Sequence, residues 1–162
     1  MIDIQHLNKS FKDRRTGQLI AAVRDVSFKA PDGSITALLG PNGAGKTTTL
    51  RILSTLMKAD GGQAHVGGVA VNTDPQRAQQ KLGLLSDARG LYTRLSAREN
   101  ILYYAALRRI EPNKAQQRLS ELAEALDMTD LLDRPTQGFS TGEKMKVALA
   151  RALIHDPPHL IL

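Results

Sequence analysis

Apolar and polar positions change their rhythm along this chain. Near the N-terminus they come in short β-like runs: Ile2 to Ile4, Val23 to Phe28 and Ile35 to Leu39. The polar stretch Lys12-Asp13-Arg14-Arg15-Thr16-Gly17 between the first two reads as a hairpin connection. After Gly45 the spacing becomes helical, with Leu50, Leu53, Leu56 and Met57 three or four apart, and Gly61-Gly62 is expected to end that helix. One further strand is expected from Ala64 to Val71, a helix start at Asp74-Pro75, and a buried strand over Leu82 to Leu85.

From about Leu95 the pattern is almost continuously helical. Ser96-Ala97-Arg98-Glu99 and Ser140-Thr141-Gly142-Glu143 each have the spacing of a capping box, in which the Ser and Glu side chains satisfy each other's orphan backbone donors. Pro112-Asn113 opens a helix whose stripe is Leu119, Leu122, Ala123 and Leu126. The helix after Ser140 carries Met145, Ala148, Leu149, Ala152 and Leu153. Asp156-Pro157-Pro158 stops it, and His159 to Leu162 begins a strand. The plan is one α/β domain with a helical subdomain.

Composition narrows the class of function. The chain has 162 residues, 41% apolar and 23% charged, which excludes a disordered or collagen-like chain. At 4% aromatic it makes a poor stacking platform for single-stranded nucleic acid. With no cysteine there is no disulfide framework, thiolate metal site or cysteine nucleophile. The net charge of +6 and pI near 9.8 suit an anionic partner or ordinary solubility. The basic residues are dispersed, which weakens a nucleic-acid reading. No apolar stretch approaches the ~20 residues of a membrane span, and Met1-Ile2-Asp3-Ile4 shows no signal core.

The sharpest chemistry lies at Gly40-Pro41-Asn42-Gly43-Ala44-Gly45-Lys46-Thr47, which fits G-x-x-x-x-G-K-[ST] between an expected buried strand and a helix. Glycines let successive N–H groups curl inward onto phosphate oxygens, and the helix adds the positive end of its dipole. Lys46 would reach the β- and γ-phosphates and the Thr47 hydroxyl would hold Mg²⁺. A nucleoside triphosphate is therefore the expected ligand. Guanine specificity is unsupported: N-K-x-D is matched neither by Asn8-Lys9-Ser10-Phe11 nor by Asn113-Lys114-Ala115-Gln116.

Where a small-molecule kinase would carry an Arg-rich lid, this chain has Phe139-Ser140-Thr141-Gly142-Glu143 running into Ala150-Arg151-Ala152-Leu153. This stretch resembles the signature motif of ABC-type ATPases, usually Leu-Ser-Gly-Gly-Gln, and the likeness covers the whole chain. The resemblance implies a P-loop NTPase fold, with a RecA-like core, N-terminal antiparallel strands and an inserted helical subdomain. It implies a nucleotide-binding core over residues 1–90, the helical subdomain over 91–140, and the signature helix with the start of the Walker B strand over 141–162. It also implies that Phe11 stacks on adenine, that Gly40 to Thr48 cradles the phosphates of ATP, with Thr48 included, and that Thr47 and Asp87 order Mg²⁺. Ser140 and Gly142 would act on the ATP of an opposite subunit in a head-to-tail dimer with itself or a paralogue.

Three substitutions depart from that pattern. Asp87 stands where the family's Q-loop has Gln, and Thr141 and Glu143 replace Gly and Gln. A Mg²⁺-ordering Asp, a catalytic Glu and a switch His are expected beyond Leu162, so the chain reads as an N-terminal portion. Its own four histidines, His6, His65, His155 and His159, match no switch position. Ser86 to Tyr92 is similar to ATP-binding subunits of sodium-exporter type. The resemblance thus implies ATP binding and hydrolysis that power an ABC transporter, of export type, with a membrane-spanning permease as partner and a peripheral place on the cytoplasmic face of the cell membrane. The helical insert, Leu91 to Arg134, would dock on that permease. No nucleic-acid partner is expected. The competing expectations are a non-transport ABC-type ATPase acting on nucleic acid or ribosomes, and a truncated fragment that only binds.

Overall fold

A computed structural model describes residues 1–85 and 90–162. The chain forms two compact units, Met1–Leu82 and Gly83–Leu162. In the first, strands β1 (Ile2–Lys12) and β2 (Leu19–Ala30) form an antiparallel hairpin. β3 (Gly61–Val66) pairs with the other edge of β1, and β4 (Val69–Ala70) completes a sheet of order β2-β1-β3-β4. Ile4, Leu7, Val23, Ala64 and Val66 are buried. Helix α1 (Lys46–Leu53) packs on β3 and β2, burying Thr49, Ile52 and Leu53. Helix α2 (Pro75–Gln80) starts at Asp74, whose side chain accepts from the Arg77 N–H at 3.1 Å.

Three expectations for this unit do not hold. Ile35 to Leu39 is not a strand: it belongs to neither sheet, and Ile35 and Leu39 are exposed. A run of apolar residues supplies no cross-strand partners of its own, and among the described residues no neighbouring edge receives it. Gly61-Gly62 does not end α1 but opens β3. The helix stops earlier, at Leu53, with Ser54 as its C-cap and Thr55 at φ 61°, which leaves Leu56 exposed. The single strand expected from Ala64 to Val71 is instead a hairpin, because Gly67 and Gly68 both take positive φ between β3 and β4.

The second unit is mainly helical. Strand β5 (Leu82–Leu84), which starts at its boundary, pairs with β6 (His159–Ile161). Helices α3 (Ala97–Leu107), α4 (Pro112–Ala125) and α5 (Thr141–Leu153) bury Ile101, Leu119, Leu122, Met128 and Val147 in one cluster. Gly83 is required by packing: a Cβ there would lie 2.6 Å from the Ala152 carbonyl oxygen and 2.8 Å from both Leu160 Cδ1 and Pro157 Cγ. Both capping boxes form as the sequence predicts. The α4 start differs in detail, since Glu111 caps it, accepting from the Asn113 and Lys114 N–H groups at 3.0 and 2.9 Å. Met145, placed on the apolar stripe of α5 by sequence, is exposed.

Candidate phosphate-binding loop and signature helix

The loop from Gly40 to Gly45 is irregular backbone that delivers the chain into α1. Gly40, Gly43 and Gly45 have φ of 156°, 84° and 84°. Gly45 sits at the N-cap with a left-handed backbone, and a Cβ there would come within 2.2 Å of the Ala22 carbonyl oxygen. Both the conformation and the close approach therefore demand glycine. The approach is possible because β2 bulges at this point. Ser10 pairs with Ala21 and Lys9 with Val23, so Ala22 is an extra residue opposite no partner.

The Lys46 ammonium donates to the Gly40 and Pro41 carbonyl oxygens at 2.6 and 2.8 Å, closing the loop over its own helix. Among the described residues, this leaves its third proton for an incoming oxygen. Thr47 is exposed and Thr48 half-buried. The α1 N-terminus has no side-chain cap and no acid in its first turn. Each of the other α-helices among the described residues has a capping carboxylate or hydroxyl. The positive end of α1, the glycines of the loop and Lys46 together present donors and positive charge suited to a multiply charged anion. A hard cation that accompanies the phosphates would find an oxygen ligand in the Thr47 hydroxyl.

Phe11 lies in the same unit, near the end of β1 and 41% exposed. Its segment is held in place by Asp60, whose carboxylate accepts from the Lys9 ammonium at 2.6 Å and the Ser10 N–H at 2.7 Å. The Lys9 hydrogen bond, followed by that from Ser10, keeps the Asp60 carboxyl below the usual carboxylate range. Lys9 also stands 5.7 Å from the centre of the Phe11 ring.

Ser140 and Gly142 lie in the second unit, at the start of α5. The Ser140 hydroxyl accepts from the Glu143 N–H at 3.2 Å, and the Glu143 carboxylate accepts from the Ser140 N–H at 2.7 Å. That backbone bond is the main reason the Glu143 carboxyl is held below its ordinary range, with the Arg134 and Lys146 charges adding to it. Phe139, just before the cap, is buried under the Arg134 guanidinium. Asp87 lies outside the described residues.

Sequence reasoning missed three groups. The Ala22 carbonyl is one, and only the small Ala21-Ala22 pair hinted at a close approach. Arg151 on α5 is nearly buried, donating to the Gly90 carbonyl at 2.9 Å with its guanidinium 4.4 Å from the Tyr104 ring. Asn100 is fully buried and ties α3 to the preceding turn through the Tyr92 N–H and the Tyr92, Leu95 and Ser96 carbonyls. Neither of these two carries a pattern distinguishable from a surface polar residue.

A family model described as ABC transporter matches residues 23–162. The chain is 37% identical over 158 residues to the ABC transporter ATP-binding protein NatA of Bacillus subtilis, covering 97% of this chain and 63% of that protein. It is 32% identical over 161 residues to the trehalose import ATP-binding protein SugC of Mycobacterium tuberculosis, covering 99% of this chain and 39% of that one. Among solved structures, an ATP-binding subunit of an ABC transporter superposes with a TM-score of 0.82 at 25% identity, over 99% of this chain and 64% of that one. The chain thus spans less than two thirds of the length of these relatives.

Proposed function

The chain belongs to the ABC transporter family, with the mixed α/β cassette fold and N-terminal antiparallel strands that membership entails, and from that premise we propose that it is the nucleotide-binding part of a transport ATPase subunit. The observation that carries this reading is the uncapped N-terminus of α1, with Gly45 at its cap and Lys46 bridging the loop. On this reading Gly40 to Thr48 holds the phosphates of ATP, with backbone N–H groups aimed at the oxygens and Lys46 offsetting charge that builds on the terminal phosphate. Mg²⁺, taken with the nucleotide, would supply charge neutralisation at the phosphates. Thr47 is the described side chain suited to hold it, and Asp87 is carried as a second ligand on sequence grounds. Phe11 offers its ring face to the base.

Residues 1–90 then serve as the nucleotide core, 91–140 as the helical subdomain, and 141–162 as the signature helix leading into the Walker B strand. Ser140 and Gly142 present the α5 N-terminus to the ATP of a second subunit. The capping box that closes this terminus would open there, exchanging side-chain oxygens for phosphate oxygens. A membrane-spanning permease is the proposed partner of residues 91–134, with the subunit peripheral on the cytoplasmic face. No helix among the described residues is long and apolar enough to cross a membrane. Export is proposed on the Ser86 to Tyr92 stretch. It competes with import, the direction named for the trehalose relative.

Calorimetric titration with MgATP tests the central claim. Lys46→Ala should weaken binding roughly a hundredfold, the scale of a lost charge-assisted contact. Equal affinity in wild type and variant would overturn the reading.

A further inference from the structure

We propose that Ile20 is a second base-contacting residue, so that the nucleotide base is gripped by the cross-strand pair Phe11–Ile20. This deepens the nucleotide-binding reading above and rests on it. Three observations carry it. Phe11 and Ile20 are direct partners in the β1–β2 register, which puts both side chains on one face of the sheet. Both are large and apolar, yet they remain 41% and 55% exposed in a region whose neighbours Leu7 and Val23 are buried. An aromatic paired with a β-branched residue normally covers itself in a sheet, so a pair left open offers a ready apolar seat.

The third observation fixes what sits there. Ala22, the bulged residue of β2, has the carbonyl oxygen that a Cβ on Gly45 would meet at 2.2 Å. The phosphate loop therefore meets β2 two residues from Ile20, about 7 Å along the strand. A ligand with its phosphates at the α1 N-terminus can reach this pair with its other end, because Ile20 lies only two residues along β2 from the contact with Gly45. Lys9, anchored on Asp60 and 5.7 Å from the Phe11 ring centre, limits where the ring can turn. Neither Phe nor Ile has a hydrogen-bonding side chain, so the pair contributes stacking and apolar area.

The test is calorimetric titration of the full chain with MgATP and, separately, with magnesium tripolyphosphate, which has the phosphates and no base. Ile20→Thr keeps the β-branched shape that suits a strand. It should weaken MgATP binding roughly fivefold, as expected for lost apolar contact, while leaving tripolyphosphate affinity within about a factor of two. Leu19→Thr is the control: Leu19 is also exposed, but it points to the opposite face and should leave both affinities unchanged. The proposal is overturned if Ile20→Thr binds MgATP as wild type does, loses both ligands equally, or is matched by Leu19→Thr. In all three of these cases the phosphate-loop reading survives. A wild-type chain that binds neither ligand overturns both.

Discussion

Helices α1 and α5 begin in opposite ways. At α1 the cap is Gly45, the first turn has no acid, and no side chain accepts from the free N–H groups. At α5 the cap is Ser140, and Glu143 closes the box from inside the first turn. The two helices expose the same backbone donors and the same end of the dipole. What separates them is how those donors are satisfied. A helix start closed by its own side chains is stable by itself and gives them up only in exchange for a better acceptor. A start held open by glycine gains most from a ligand, and here the neighbouring β2 bulge forbids the side chain that would close it.

Substitutions can break this contrast, and the largest effect is expected at Gly45. In Gly45→Ala the new methyl group would meet the Ala22 carbonyl at 2.2 Å with the backbone held at φ 84°. Left-handed strain alone costs about 1–3 kcal/mol, and the clash adds to it. A fall in melting temperature of several degrees, together with loss of MgATP binding, is the expected outcome. A variant that melts and binds like wild type would show that the close approach does not matter.

Ser140→Ala should act at the other helix with the opposite signature. Losing the cap should cost about 1 kcal/mol of stability, read by thermal or urea denaturation, while the MgATP affinity of the monomeric chain stays the same. A matching loss of MgATP affinity would mean that Ser140 serves the chain's own nucleotide. The effect should be larger when nucleotide-driven dimerisation is measured, where the proposed function sets Ser140 against a second subunit's phosphate.

The smallest effect is a dependence on pH. The carboxyls of Glu99 and Glu143 are held below the ordinary glutamate range, chiefly by the Ser96 and Ser140 backbone N–H groups. A depressed folded value means the stabilisation is complete at neutral pH. It is lost as pH falls from the unfolded glutamate value through the folded one. Acid should therefore erode α3 and α5 through their caps, whereas α1, with no acid in its first turn, has no such dependence. Replacing both glutamates with Gln should flatten the part of the acid melting profile that comes from these boxes. An unchanged profile would show that the boxes contribute nothing there.

The sequence was legible where chemistry is local. The phosphate loop, the capping boxes at Ser96 and Ser140, and the Asp74-Pro75 helix start depend on residues within a few positions of one another, and each stands where the spacing predicts. It was illegible where an outcome depends on a distant partner. Ile35 to Leu39 has the composition of a strand but no strand identity without an edge to pair with. Gly61-Gly62 looks like a helix stop until β1 offers it a ladder.

By itself, then, the sequence determined the glycine-rich loop before α1, the helix starts and the family likeness, because those rest on residues close together in the chain and on backbone freedom. Only the tertiary structure decided that β2 bulges at Ala22 and that Gly45 rests on that bulge. It alone left Phe11 and Ile20 open side by side, and buried Asn100 and Arg151 among backbone carbonyls. The physical reason is the same in each case. Register, burial and the satisfaction of a polar group are set by which distant segment arrives opposite, and no local pattern encodes that arrival.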